Sequence, residues 1–236
     1  MIKAVFFDLD GTLLPLDQDQ FLDTYLKLLA AKLAPRGYEP QKLIKAIWQG
    51  SMEMIKNDGT KTNEQVFWSA FADIFGEGVR ADEPYFDEYY RTDFKTVRAI
   101  CGYTDASRRI VDKLRERGIT AVLATNPVFP MIATETRMGW VDLVPSDFAI
   151  ITTYENSRYC KPNPAYYLDL AEQLGISADE CLMVGNDVDD DMIASTVGMK
   201  VFLLTDCLVN RHNKDISVYQ GGNFAELEAY LDKLLS

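Results

Sequence analysis

The sequence predicts a doubly wound α/β fold, a parallel sheet covered by helices on both faces, interrupted once by an all-helical insertion. Three observations predict it. Short runs that are apolar almost without a break recur along the chain, as central strands buried on both faces require. Stretches of helical periodicity separate most of these runs, which points to right-handed βαβ crossovers. One long interval, from about Leu16 to Cys101, breaks the alternation and holds helical patterns alone. Together they describe a Rossmann-like three-layer core carrying a helical cap.

The strands are predicted at Lys3–Phe7, Thr120–Ala124, Phe148–Thr152, Cys181–Val184 and Lys200–Leu204. A helical stretch from Asp105 to Arg117 precedes the second, and Gly118 supplies its stop. Within the insertion, Phe21, Tyr25, Leu28, Leu29 and Leu33 recur at helical spacing and end near Pro35-Arg36-Gly37. Leu43, Ile44, Ile47, Trp48 and Ile55 mark a second helix, broken at Asn57-Asp58-Gly59. Thr62-Asn63-Glu64-Gln65 reads as the start of a third, which runs through Val66, Phe67, Phe71 and Ile74 to Gly76. A fourth, aromatic-rich helix is expected over Tyr85–Phe94. The insertion leaves just after the first strand. The expected division is therefore a core of residues 1–15 plus 102–236 and a cap of residues 16–101, joined near Pro15 and Gly102. The aromatics Trp48, Phe67, Trp68, Phe71, Tyr85, Phe86, Tyr89 and Tyr90 are expected to form the cap's own core rather than a base-stacking platform.

A length of 236 residues suits one core with a large insertion, and 47% apolar residues are ample to bury it. No run of 18 apolar residues marks a membrane span. The start, Met1 to Asp8, turns acidic too soon for a signal peptide, so a cytoplasmic location is expected. Cys101, Cys160, Cys181 and Cys207 are scattered and read as reduced thiols near the core. The lone His212 leaves no material for a histidine triad or a histidine-rich metal cage. A net charge of −12 argues against nucleic acid as a partner. It also means that an anionic substrate needs local neutralisation, by a divalent cation and a few placed lysines.

The most specific segment is Phe7-Asp8-Leu9-Asp10-Gly11-Thr12-Leu13. It lies at the carboxyl end of the first strand, where open α/β sheets place their ligands. Residues two apart on an extended chain point the same way, so Asp8 and Asp10 are expected to converge. Two such carboxylates repel unless a cation sits with them or one holds a proton. Gly11 then lets the chain turn sharply. A carboxylate can also act as a nucleophile, splitting phosphoryl transfer into two steps, while its neighbour serves as general acid and base. Asp and Gly are also common turn residues, so the motif alone has a plainer reading.

Asp8-Leu9-Asp10-Gly11-Thr12 resembles the first motif of the haloacid dehalogenase-like (HAD) hydrolases. The resemblance extends over nearly the whole chain and implies three further motifs in order. Thr125 in Leu123-Ala124-Thr125-Asn126-Pro127 matches the strand-ending hydroxyl, and Asn126 adds a side-chain amide to the expected phosphate site. Lys161 in Lys161-Pro162-Asn163-Pro164 matches the downstream lysine, a point charge for the nucleophile and the phosphate. The acidic loop Gly185-Asn186-Asp187-Val188-Asp189-Asp190-Asp191 matches the fourth with a departure, because the usual form begins Gly-Asp. Counting back from Gly198 aligns Asn186 with the usual first acid and Asp190 with the second. Either Asn186 meets the metal through its amide oxygen or Asp187 takes over. Asp187 is favoured, because a hard dication prefers an anionic oxygen.

What the resemblance implies is a magnesium-dependent phosphatase. Mg2+ would be held by Asp8, the backbone carbonyl of Asp10, and Asp187 or Asn186. Asp8 would form an aspartyl phosphate, Thr125 and Lys161 would neutralise the phosphoryl oxygens, and Asp10 would be the general acid and base. Family dehalogenases and phosphonate-cleaving members lack an acid at the position of Asp10, which favours ester hydrolysis. A phosphomutase would use the same residues, and a non-catalytic binding member of the fold is the reading from another class. The expected partner is a small phosphorylated metabolite, a sugar phosphate, a nucleotide or a phosphoglycolate-like acid, handled by a monomer or homodimer without nucleic acid or membrane.

Overall fold

The computed structural model describes residues 1–235. Six strands form one sheet: β1 (Ala4–Phe7), β2 (Thr120–Leu123), β3 (Ile150–Ile151), β4 (Cys181–Gly185), β5 (Lys200–Leu204) and β6 (Gly221–Gly222). Eight α-helices accompany them among the described residues: α1 (Gln18–Leu33), α2 (Pro40–Ile55), α3 (Asn63–Phe75), α4 (Glu83–Arg91), α5 (Ala106–Glu116), α6 (Met131–Gly139), α7 (Pro164–Leu174) and α8 (Phe224–Leu234). The sheet order is β3-β2-β1-β4-β5-β6, and every pairing is parallel. This is the doubly wound α/β core that the apolar runs predict.

Period-two alternation along each strand divides the core into two layers. Val5, Phe7, Leu182, Val184 and Phe202 face Ile110, Val111 and Leu114 of α5 and Leu227 and Leu231 of α8. Ala4, Phe6, Val122, Cys181 and Met183 face Tyr166, Tyr167 and Leu170 of α7. Both faces are covered, so these strands tolerate no polar residue on either side. Each fully buried Phe or Leu contributes about 1.5–3 kcal/mol to that packing.

Two strands differ from expectation. β3 is shorter than the predicted Phe148–Thr152 because it pairs with β2 alone, and the Thr152 hydroxyl turns back onto the Thr125 carbonyl at 2.6 Å. β6 is a pair of glycines, which reads in sequence as a turn, yet Leu203 N donates to Gln220 O beside it at 2.9 Å.

Between β1 and α5 the chain is helical. Asp17 accepts from Gln20 N at 2.8 Å to start α1. Glu39 accepts from Gln41 N and Lys42 N to start α2, whose first residue is Pro40. Thr62 and Gln65 form a reciprocal capping box on α3, as the Thr62–Gln65 start signal implies. α4 begins at Glu83 and ends at Arg91, and Phe94 lies beyond it in a 3₁₀ segment, Asp93–Ile100. Phe71, Tyr89 and Phe94 are fully buried among these helices. The two connectors meet where Gly102 N donates to Pro15 O at 2.6 Å. No helix among the described residues is long and apolar enough to cross a membrane.

The loop after β1 is tied down by α5, whose buried Ser107 hydroxyl donates to the Leu13 carbonyl at 2.6 Å. Ser107→Ala removes that donor and leaves the carbonyl buried. It should lower unfolding stability by about 1–3 kcal/mol, read as a shift of the urea midpoint with an unchanged slope.

Candidate active site

The loops that follow β1, β2 and β4 lie side by side, because those strands are neighbours in the sheet. The crevice at their carboxyl ends is where an open sheet of this order places a ligand. Asp8 continues β1 by donating its N–H to Val184 O at 3.0 Å. The chain then closes a tight turn, with Leu14 N on Leu9 O at 2.8 Å and Gly11 N on Leu14 O at 2.8 Å. Gly11 has φ +84°, and a Cβ there would stand 2.3 Å from Asn186 Nδ2. Two demands, a left-handed backbone and close approach of the Asn186 amide, thus select glycine.

Asp8 is buried, and each of its oxygens has a donor. Oδ1 accepts from Lys161 Nζ at 2.9 Å. Oδ2 lies 3.2 Å from the Thr12 hydroxyl, whose single proton it shares with Asn186 Oδ1 at 2.8 Å. Lys161 is 1% exposed and also bonds Asp191 Oδ1 at 2.7 Å. Burial alone would lower the pKa of its ammonium, but the Asp191 and Asp8 carboxylates outweigh burial and raise it well above the ordinary lysine value. Lys161 is a fixed positive charge.

Asp10 lines the same cavity as Asp8 but has its own cation. Arg137 of α6, with no exposed surface, pairs with Asp10 Oδ2. Its Nε donates to Ala133 O at 3.2 Å, and its guanidinium lies 4.3 Å from the centre of the Phe129 ring. Burial lifts the Asp10 carboxyl to about 6 against the opposing pull of Arg137. Its other oxygen, Oδ1, is buried with no hydrogen-bond partner. Charge repulsion between the two carboxylates is thus relieved partly by a lysine and an arginine, and the arginine was not anticipated. Its one sequence signal is a cation at the buried positions of α6, beside Ala133, Thr134 and Met138.

Thr125 lies two residues beyond β2, buried, with its carbonyl held by Thr152 Oγ1 at 2.6 Å and Tyr166 Oη at 2.9 Å. Asn126 turns its amide toward Asp190 Oδ2 at 3.3 Å and Lys161 O at 3.4 Å, and its Oδ1 has no partner. Both residues line the cavity with Asp8, Asp10 and Lys161.

The acidic loop after β4 divides its carboxylates among different tasks. Asp191 reaches Lys161 and also accepts from Asp187 N at 2.9 Å. A Cβ on Gly185 would stand 2.1 Å from Asp191 Oδ2, so glycine makes room for this carboxylate. The alignment from Gly198 pointed to Asp190 as the second acid. In the structure Asp191 is the carboxylate on Lys161, and Asp187 Oδ1 caps the N–H groups of Asp189 (2.8 Å) and Asp190 (3.0 Å). Asp190 faces Asn126, and burial followed by the neighbouring Asp187 raises it to about 6. Asp187 Oδ2 pairs with Arg211 at 2.7 Å, and Asn186 Nδ2 donates to Cys207 O at 2.7 Å. His212 is exposed and bonds Asp189 at 2.8 Å, and the four cysteines are free thiols.

Asp8, Asp10, Asp19, Asp187, Asp190 and Asp191 line one cavity with only Lys161 and Arg211 as cations. That excess of negative charge suits a bound cation. Among the described residues no three His, Cys, Asp or Glu side chains are grouped to hold a metal unaided. Magnesium asks for less, because it binds through one or two carboxylates and keeps several waters. The all-oxygen donors Asp8, Asp187 and Asn186 fit it, and nothing here offers the sulfur or imidazole that zinc or copper prefers.

These observations define a doubly wound α/β protein whose ligand cavity opens between its central strand ends and a helical insertion. The family model of the haloacid dehalogenase-like hydrolases matches residues 2–197. The chain belongs to that family. Among curated relatives it is 27% identical over 198 residues to a phosphoglycolate phosphatase of Xylella fastidiosa, covering 84% of this chain and 77% of the relative. It is 25% identical to one of Nitrosospira multiformis, covering 93% and 88%. Its fold is similar to the crystal structure of a 2-haloacid dehalogenase from Pseudomonas syringae pv. Tomato DC3000, with a TM-score of 0.62 at 20% identity over 99% of this chain and 100% of that one. A HAD phosphatase from Thermococcus onnurineus gives 0.59 at 19% identity over 98% of both chains.

The buried Lys161–Asp191 pair supports the whole site, and removing one partner leaves a charge under-compensated. Asp191→Ala should cost about 3–5 kcal/mol in denaturant unfolding, well beyond an exposed pair such as Lys27–Asp23.

Proposed function

We propose that this chain is a magnesium-dependent phosphatase that hydrolyses a phosphate monoester through an aspartyl phosphate on Asp8. The observation that carries the proposal is the environment of Asp8: a buried carboxylate at the end of the central strand, held by Lys161 and opening on the same cavity as Asp10. The phosphatase names of the curated relatives support the substrate class.

An Asp8 oxygen attacks phosphorus and the ester P–O bond breaks. Lys161 and the Thr125 hydroxyl balance the charge on the phosphoryl oxygens, fixed in place before the substrate arrives. Asp10 has a pKa of about 6, so near neutral pH it is accessible as both acid and base. It gives its proton to the departing alkoxide. It then takes a proton from the water that attacks the aspartyl phosphate, and the P–O bond to Asp8 breaks to release inorganic phosphate. Arg137 touches neither substrate nor water in this scheme; it positions Asp10 and holds down its pKa. Asp8, the backbone carbonyl of Asp10, and Asp187 or Asn186 would hold a magnesium ion, whose charge would offset repulsion between Asp8 and the phosphate. Residues 16–101 act as a cap, hinged where Gly102 N meets Pro15 O, that covers the substrate and excludes water.

Release of phosphate from para-nitrophenyl phosphate should require magnesium and should vanish in Asp8→Asn. Asp10→Asn should lower kcat by about 10²–10⁴-fold. Retention of full activity by Asp8→Asn would remove the proposed nucleophile. Arg137→Met removes the cation that lowers the Asp10 pKa, so that pKa should rise. The limb of the pH–rate profile that reports Asp10 should move to higher pH while the folded fraction is unchanged by circular dichroism.

A further inference from the structure

The cavity above Asp8 measures about 450 Å³, within the range of pockets that enclose a drug-sized ligand. Its floor is charged and its upper walls are not. Phe21 and Leu26 of α1, Ile47 and Trp48 of α2, Phe67 of α3 and Phe129 after β2 form those walls. The one charged residue that the four inserted helices contribute is Asp19, an anion. Both cations that line the cavity lie on the core side and are committed: Lys161 to Asp8 and Asp191, Arg211 to Asp187. Arg137 is spent on Asp10.

This distribution disfavours charge on the part of the leaving group that meets the upper walls. A substrate carboxylate or second phosphate directed toward the inserted helices, away from the Asp8 floor and its proposed magnesium, would meet Asp19 and no wall cation, and burying an unpaired charge is costly. A sugar would need partners for several hydroxyls. The inserted helices offer few: Tyr25 and Tyr90 share one hydrogen bond at 2.9 Å, which uses one of their two protons, and Gln18 and Ser51 add two polar side chains. Trp68 has a buried N–H that lies near the Tyr154 hydroxyl without hydrogen-bond geometry, enough for a single acceptor. Apolar carbon, by contrast, gains from every wall.

We propose that the leaving group of the preferred substrate is an uncharged apolar alcohol, aliphatic or aromatic, so that the protein hydrolyses hydrophobic phosphate monoesters and not phosphoglycolate or sugar phosphates. The inference deepens the phosphatase reading and rests on it. It departs from the substrate in the names of the curated relatives, whose identity to this chain is 25–27%.

The test is a series of straight-chain alkyl phosphates, butyl to octyl, assayed with magnesium beside phosphoglycolate, glucose 6-phosphate and para-nitrophenyl phosphate. Primary alkyl esters keep leaving-group chemistry constant, so the series isolates binding. kcat/KM should rise about fourfold per added methylene until the cavity is filled, and octyl phosphate should exceed phosphoglycolate by about a hundredfold or more. Trp48→Ala trims a wall residue that is 46% exposed, so the fold survives, and its loss of kcat/KM should grow with chain length. A flat series with phosphoglycolate ahead overturns the proposal while leaving the phosphatase intact. If no ester is hydrolysed, para-nitrophenyl phosphate included, the phosphatase reading fails, and quenching of tryptophan fluorescence by the same alkyl series decides the rest. Binding that tightens with chain length then supports the apolar pocket; binding that does not overturns it.

Discussion

The ammonium group of Lys161, buried between Asp8 and Asp191, is the contact on which the architecture of the site turns. A lysine so enclosed is unfavourable unless both carboxylates are in place, and both carboxylates are unfavourable without it. That mutual dependence ties the loop after β1 to the acidic loop after β4 and to the segment leading into α7. Gly185 belongs to the same arrangement, because any side chain there would displace Asp191. Gly11 does the equivalent work on the other flank by admitting the Asn186 amide. The charge constellation at the sheet's carboxyl edge is therefore held by close backbone packing as much as by ion pairing.

A chain of net charge −12 that handles an anion must spend its cations with economy of position. Lys161 and Arg137 are the two most enclosed cations of the site, and each is assigned to one carboxylate of the first loop. Asp10 nevertheless keeps a pKa of about 6, because the cost of burial exceeds what one guanidinium returns. The remaining acidic excess suits a divalent cation, which with a few placed lysines is how a chain of this charge is expected to neutralise an anionic substrate.

Much of this was legible before the structure. β1, β2, β4 and β5 are buried on both faces, so their apolar runs are unbroken and plain to read. The helical insertion was legible through its apolar spacing and through the local start signal of Thr62 with Gln65. The edge strands were not: β3 has one neighbour and is cut short by a threonine that bonds backwards, and β6 is two glycines without side chains to pattern. The acidic loop shows what motif counting leaves open at single-residue resolution. Five acidic or amide residues within six positions carry no periodicity, and only the folded loop shows Asp187 capping two N–H groups while Asp191 reaches Lys161. Arg137 is nearly invisible in sequence because its partner lies 127 positions away. The inserted aromatics prove to be of two kinds. Phe71 and Tyr89 are fully buried core, whereas Trp48, Phe67, Trp68, Phe86 and Tyr90 also line the cavity.

The junction at Pro15 and Gly102 places the departing and returning chain within one hydrogen bond of each other, 2.6 Å from N to O. Topologically the core is therefore closed without the segment between them. Any insert whose own ends meet would satisfy the same junction, and because the entropy of loop closure grows only slowly with length, its size is nearly unconstrained. On the proposed division into core and cap, chemistry and selectivity can diverge at separate rates along one chain: the charged floor of the crevice answers to the core, and most of the wall above it to a replaceable part.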